Sequence, residues 1–180
     1  MSAVTKLLFV DGWHGPDPGD WQELWASRTP GAARVTQDDW DVAEAGAWVA
    51  RLDETIARYD TPPVLVAHSL GCPTVVRWAA AHPARPVRAA MLVTPADVEC
   101  NPRPEITGFA PLPQTPLPFP ALVVASGSDS WMSPLRAQSF ASAWGARYAE
   151  AGDVGHLTVG EGYGPWLAGE RYLAELLNGS

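Results

Sequence analysis

The stretch Val64-Leu65-Val66-Ala67-His68-Ser69-Leu70-Gly71-Cys72 joins a short apolar run to the start of a helix through a small-x-Ser-x-Gly turn. A serine on so tight a strand-to-helix turn is pushed clear of its own backbone, and its hydroxyl stands at the end of a sheet where a substrate can reach it. Such a hydroxyl can attack an acyl carbon if a base, a group orienting that base and donors for the developing oxyanion are close by. Suitable groups occur further along. Asp129 follows one later apolar run, and His156, preceded by Gly155, follows the last. The order Ser, Asp, His is that of the α/β-hydrolases. Ser69 is thus the candidate nucleophile, His156 the base and Asp129 the orienting acid. Asp97 also follows an apolar run and stays open as an alternative acid, whereas Asp153 is too near His156 along the chain to be its natural partner.

The other histidines take lesser parts. His68 adjoins the serine, points away from it on a sharp turn, and should line or buttress that turn. His82 sits at a helix end, where it can meet terminal carbonyls. His14 falls in the turn Gly12-Trp13-His14-Gly15 and is read as a pocket or oxyanion-loop residue. The expected oxyanion donors are the backbone N–H groups of Leu70, next to the nucleophile, and of Trp13, in a turn whose glycines allow close approach. Trp13, Trp21, Trp131 and Trp166 lie in segments near the predicted site. Of these, Trp131 and Trp166 are expected to line a small substrate pocket together with His14 and His68.

These groups meet only if the turns after several strands share one edge. Apolar runs predict strands over Lys6–Val10, Ala33–Val35, Val64–Ala67, Val87–Val93, Ala121–Ser126 and Tyr148–Ala151. Helices are predicted between them: one opened by Asp20 with Glu23 three residues on, one over Asp41–Tyr59 with an apolar stripe from Val42 to Tyr59, one after the serine turn up to His82-Pro83, one over Leu135–Trp144 and one over Trp166–Leu177. Pro73 is tolerated because it falls in the first helical turn. Alternating strands and helices predict a three-layer αβα architecture: an α/β-hydrolase core of about six mostly parallel strands, with no large cap domain and a single domain over residues 1–180. Right-handed crossovers then put Gly12, Ser69, Asp129 and His156 on the carboxyl edge. Residues 95–120 hold eight of the 18 prolines and read as an extended surface loop with a short helical turn.

Composition narrows the function classes. A formal charge of -8 with scattered arginines disfavours nucleic acid. No apolar run approaches the length that spans a bilayer, and Leu7–Val10 is too short for a signal peptide. The two cysteines, Cys72 and Cys100, fit neither a disulfide scaffold nor a zinc spacing. They are expected to be reduced, in a cytoplasmic protein. Neither a metal nor another cofactor is expected, since no dinucleotide fingerprint or phosphate-binding loop occurs. The expected partner is a small acyl substrate, and the oligomeric state is not legible.

The blocks Val10-Asp11-Gly12-Trp13, Ala67-His68-Ser69-Leu70-Gly71, Pro95-Ala96-Asp97, Ser126-Gly127-Ser128-Asp129 and Gly155-His156, followed by Gly162-Tyr163-Gly164-Pro165-Trp166, resemble the small serine α/β-hydrolases related to retinoblastoma-binding protein nine. The resemblance spans nearly the whole chain. It implies a compact hydrolase with a Ser-Asp-His triad, carried here by Ser69, Asp129 and His156. Ala67 stands where most α/β-hydrolases have glycine, a substitution the family tolerates. The Leu-x-Cys-x-Glu segment associated with retinoblastoma binding is absent around Cys100, so that role is not carried over. The expected activity is hydrolysis of a small ester or related acyl compound. A binding protein on a hydrolase fold is the alternative of another class, and an acyltransferase or perhydrolase using the same residues is a third.

Overall fold

The structure, a computed structural model, describes residues 5–179. In chain order the elements are β1 (Leu7–Val10), α1 (Trp21–Arg28), β2 (Ala33–Arg34), β3 (Ala43–Glu44), α2 (Ala45–Ile56), β4 (Val64–His68), α3 (Gly71–Ala81), β5 (Ala89–Val93), β6 (Ile106–Thr107), β7 (Ala121–Ala125), α4 (Pro134–Ala143), β8 (Arg147–Glu150) and α5 (Leu167–Asn178), with one 3-10 turn at Val159–Glu161. Six strands form a parallel sheet in the order β2-β1-β4-β5-β7-β8. Strands β1, β4, β5 and β7 are buried throughout, because helices cover both faces of the sheet. Side chains alternate accordingly. Leu8, Val10, Leu65, Ala67 and Leu92 pack with Trp48 and Leu52 of α2, Val75 and Trp78 of α3 and Phe140 of α4. Leu7, Phe9, Val66 and Met91 pack with Trp21 and Trp25 of α1 and Leu176 of α5. The result is the three-layer α/β-hydrolase architecture expected from the sequence.

One expectation fails locally. The helix expected from Asp41 begins at Ala45, and Val42 is 54% exposed instead of opening the apolar stripe. Residues 41–44 are spoken for: the Asp39 carboxylate accepts the Asp41 and Val42 N–H groups, the Ala43 N–H donates to Glu105 O, and Glu44 caps the helix by accepting from Gly46 and Ala47. The proline-rich segment contains the one short helical turn expected of it, closed by the Asn101 N–H donating to Asp97 O at 2.9 Å. Its one strand is β6, paired with β3. Beyond that turn the prolines lack the N–H a longer helix needs, and several of the segment's carbonyls are met by side chains. Arg77 donates to Phe109 O and Pro111 O, and the Trp144 indole donates to Pro113 O. Phe109, Leu112 and Phe119 are buried, so this strap is packed onto the α2–α3–α4 layer. Among the described residues no helix is long and apolar enough to cross a membrane.

Candidate active site

Strand β1 is followed by β2 on one side and, after α2, by β4 on the other. Strand order therefore reverses between β1 and β4, and the crevice at their carboxyl ends is where open α/β sheets bind ligands. Gly12 and Ser69 stand there. Ser69 adopts φ 53°, a left-handed conformation unusual for a residue with a Cβ. Its N–H donates to Val93 O at 3.1 Å. Two glycines make the turn possible. A Cβ on Gly71 would lie 1.9 Å from Val10 O, so only glycine lets α3 start against the end of β1. A Cβ on Gly12 would lie 2.8 Å from the Ser69 Cβ, so the 12–15 turn can press against the serine only because this position is bare.

The loops after β7 and β8 bring the other two groups to this point. His156 Nε2 is 2.8 Å from Ser69 Oγ, and His156 Nδ1 is 2.8 Å from Asp129 Oδ1. A carboxylate can only accept, so Nδ1 carries the proton and Nε2 is free to accept from the Ser69 hydroxyl. The Asp129 side chain is 1% exposed and also takes the Trp131 N–H at 2.9 Å.

Asp97, the alternative acid, is placed otherwise. Its carboxylate pairs with Arg136 through both oxygens and accepts the Glu99 and Cys100 N–H groups. Burial raises its carboxyl pKa, but Arg136 and the Cys100 N–H outweigh burial and leave it below the ordinary carboxylate value. Asp97 is instead a fastener. Its N–H and the Asn101 side-chain amide donate to Trp131 O at 3.2 and 2.9 Å. The loop that carries Asp129 is thereby tied to the segment after β5.

The backbone of His156 is held from both sides. Its N–H donates to the Glu161 carboxylate at 2.9 and 3.1 Å, and that carboxylate also takes the N–H and hydroxyl of Thr158. Its carbonyl accepts from His68 Nε2 at 2.8 Å and from Thr94 Oγ1 at 3.3 Å. The next carbonyl, Leu157 O, accepts from the Trp21 indole at 3.2 Å. His68, expected to line or buttress the serine turn, instead holds the backbone carbonyl of His156. Burial, and then the neighbouring His156, push its imidazole pKa down to about 3. Glu161 was not foreseen as part of the site. The pattern Thr158-x-x-Glu161 is a legible capping box, and in the structure the 3-10 turn uses it as one.

A cleft of about 240 Å³ opens beside Ser69 and His156, with Trp13, His14, His68 and Trp131 in its walls. Trp166, expected there, is not a lining residue. It is 4% exposed and packed among Trp21, Trp25 and Tyr172, because α1 and α5 meet beneath the site and need an apolar filling. His14 lines the mouth and pairs with Asp41 at 2.8 Å. His82 at the end of α3 faces Asp53 at 3.6 Å and stacks on Trp78, instead of meeting terminal carbonyls. Among the described residues neither the Leu70 nor the Trp13 backbone N–H donates to a protein acceptor. Cys72 and Cys100 are both free thiols, one buried and one exposed. No group of three or more His, Cys, Asp or Glu side chains among the described residues could hold a metal ion.

A parallel sheet of this order, with a serine on a left-handed turn at its switch point, defines an α/β-hydrolase. The family model for serine hydrolases matches residues 7–175, and the chain belongs to that family. Among solved structures it is similar to one described as a YdeN-like hydrolase of Pectobacterium atrosepticum, with 28% identity, TM-score 0.86, and 97% of this chain and 91% of that one covered. The ydeN gene product of B. subtilis shares the fold at 16% identity and TM-score 0.74, with 97% and 99% covered. Carboxylesterase CesB of Bacillus subtilis shares it at 12% identity and TM-score 0.71, with 100% and 86% covered. No curated protein matches the sequence.

Proposed function

We propose that the protein is an esterase that cleaves small acyl substrates through a covalent acyl-enzyme on Ser69. The observation that carries this reading is the pair of 2.8 Å contacts running from Ser69 Oγ through His156 to Asp129. Ser69 Oγ attacks the ester carbonyl carbon while its proton passes to His156 Nε2, and the carbonyl electrons move onto oxygen. The Leu70 and Trp13 N–H groups, otherwise unpartnered, donate to that oxyanion. Collapse breaks the bond to the alcohol oxygen, which leaves with the proton from His156. Water then attacks the acyl-enzyme, gives its proton to His156, and releases the acid as Ser69 recovers its hydrogen. Asp129 keeps the proton of His156 on Nδ1 and balances the imidazolium.

Two measurements test the reading. A fluorophosphonate probe is expected to label folded protein at Ser69, as read by peptide mass. Hydrolysis of nitrophenyl butyrate is expected to fall by at least 10³-fold in Ser69→Ala, the scale on which hydrolases lose turnover when the nucleophile is removed. Absence of labelling in folded wild type, or equal turnover in Ser69→Ala, would overturn it.

A further inference from the structure

The 12–15 turn, which carries the Trp13 N–H, is held in an unfavourable conformation by a segment outside the cleft. His14 and Gly15 are consecutive left-handed residues, with φ 68° and 73°. Glycine tolerates that conformation, but a residue with a Cβ keeps it only where its surroundings impose it. Here they are Trp40 and Asp41, in the stretch between β2 and β3. The His14 N–H donates to Trp40 O at 3.0 Å, and the Trp13 indole donates to Asp41 O at 2.8 Å. His14 Nδ1 lies 2.8 Å from Asp41 Oδ1 and carries the proton between them, since a carboxylate only accepts. Gly15 sits so close to the Trp40 ring that a Cβ there would lie 3.1 Å from it.

Residues 40 and 41 belong to no strand or helix, so their own course has to be fixed. Asp39 fixes it from both sides. Its carbonyl accepts from the indole of Trp48, a 2% exposed residue of α2, at 3.3 Å. Its Oδ1 alone accepts the Asp41 N–H at 2.9 Å and the Val42 N–H at 2.8 Å. The His14–Asp41 pair is exposed, and such pairs contribute little by themselves. The stronger part of the clamp is the two bonds to the carbonyls of residues 40 and 41, and these depend on the backbone path that Asp39 sets.

We infer that Asp39 is a positioning residue for the oxyanion site: it holds residues 40–42 in the course that fixes the 12–15 turn, and through that turn the Trp13 N–H. The inference rests on the esterase reading and deepens it. Asp39 is exposed and does not line the cleft, so it acts through the backbone alone. The role needs one acceptor oxygen and no charge.

The test compares Asp39→Ala and Asp39→Asn with wild type. Both positions of substitution are on the surface, and melting temperatures check that the variants fold. In Asp39→Ala, kcat for nitrophenyl butyrate is expected to fall about tenfold, a fraction of the ~10²–10³-fold lost when an oxyanion donor is removed outright, with KM changed by less than about twofold. A trifluoromethyl ketone of matching chain length places a negative oxygen where the oxyanion forms, and its Ki is expected to rise by the same factor. Hydrogen exchange at the His14 amide should quicken as its bond to Trp40 O loosens. Asparagine offers the same Oδ1 acceptor, so Asp39→Asn should recover most of each loss. Trp13→Phe, which deletes the indole donor and keeps the backbone N–H, should shift kcat and Ki in the same direction as Asp39→Ala. An unchanged kcat in Asp39→Ala, a change confined to KM, or an Asp39→Asn variant as impaired as Asp39→Ala would overturn the positioning role in an active enzyme. If wild type does not hydrolyse the ester, the esterase reading falls, and His14 exchange decides the rest: faster exchange in Asp39→Ala upholds the hold of Asp39 on the turn, and unchanged exchange overturns it.

Discussion

His68 shows how the residue next to Ser69 can serve the site through a third group. Its Nε2 must carry the proton, since the His156 carbonyl 2.8 Å away can only accept. It must also be neutral, because burial and His156 both oppose a charge there. In the unfolded chain this imidazole titrates near 6.5, and in the fold near 3. Between those values the unfolded state takes up a proton that the folded state refuses. The resulting stability is therefore fully present above the unfolded value and is lost as pH falls through the window. Wild type is expected to lose Tm more steeply than His68→Gln between pH 6.5 and 4.5, by roughly 5 °C over that range. Thermal scans at a series of pH values check this, and parallel curves would contradict it. Asp97 is the converse case. Its type and place after a strand suited it to orient His156, but a side chain's role depends on its neighbours. Arg136 lies 39 positions away and its engagement with Asp97 could not be read from spacing.

At the scale of elements, the strand-turn-helix unit around Ser69 was legible almost entirely. An apolar run, a serine and Gly71 admit few backbone paths, and the structure uses Gly71, with Gly12 from the turn after β1, for close approaches. The two positions should nevertheless fail differently. Gly71→Ala would drive a methyl into Val10 O at the junction of α3 and β1, and is expected to destabilise the fold by about 3 kcal/mol or more. Urea midpoints measure this, and an unchanged midpoint would refute the packing argument. Gly12→Ala pushes instead on Ser69 itself. Its expected effect is a loss of about 10²-fold in kcat, because small displacements of a reacting group are costly, with less change in the urea midpoint. Elements that depend on distant partners were harder to read. The start of α2 moved to Ala45 because Glu105 and β6, some sixty residues away, claim residues 43–44. Glu161 was within reach of sequence reasoning as a cap. Its grip on the His156 N–H was not, since that depends on how the chain folds back after β8.

At the scale of the whole molecule, topology gathers the site and its bare rim limits the substrate. In the long insertion between β5 and β7, residues 97–101 hold the Asp129 loop and Phe109, Leu112 and Phe119 pack with the α2, α3 and α4 side of the core, and no lid domain forms over the serine. The cleft of about 240 Å³ is smaller than the ~300–1,000 Å³ pockets that hold drug-sized ligands. Among nitrophenyl esters, kcat/KM is therefore expected to be highest for short acyl chains and to drop at least tenfold by ten carbons. A profile rising steadily with chain length would show that the acyl group lies outside this cleft. The sequence alone determined the alternation of buried strands and amphipathic helices, hence the parallel sheet. It also determined the order of serine, acid and base along one edge, because both follow from local periodicity and turn chemistry. Only the tertiary structure decided which carboxylate meets His156 and that Trp166 fills the core beneath the site. Those outcomes depend on contacts between segments far apart in the chain, where packing and charge pairing select one partner among several of suitable type.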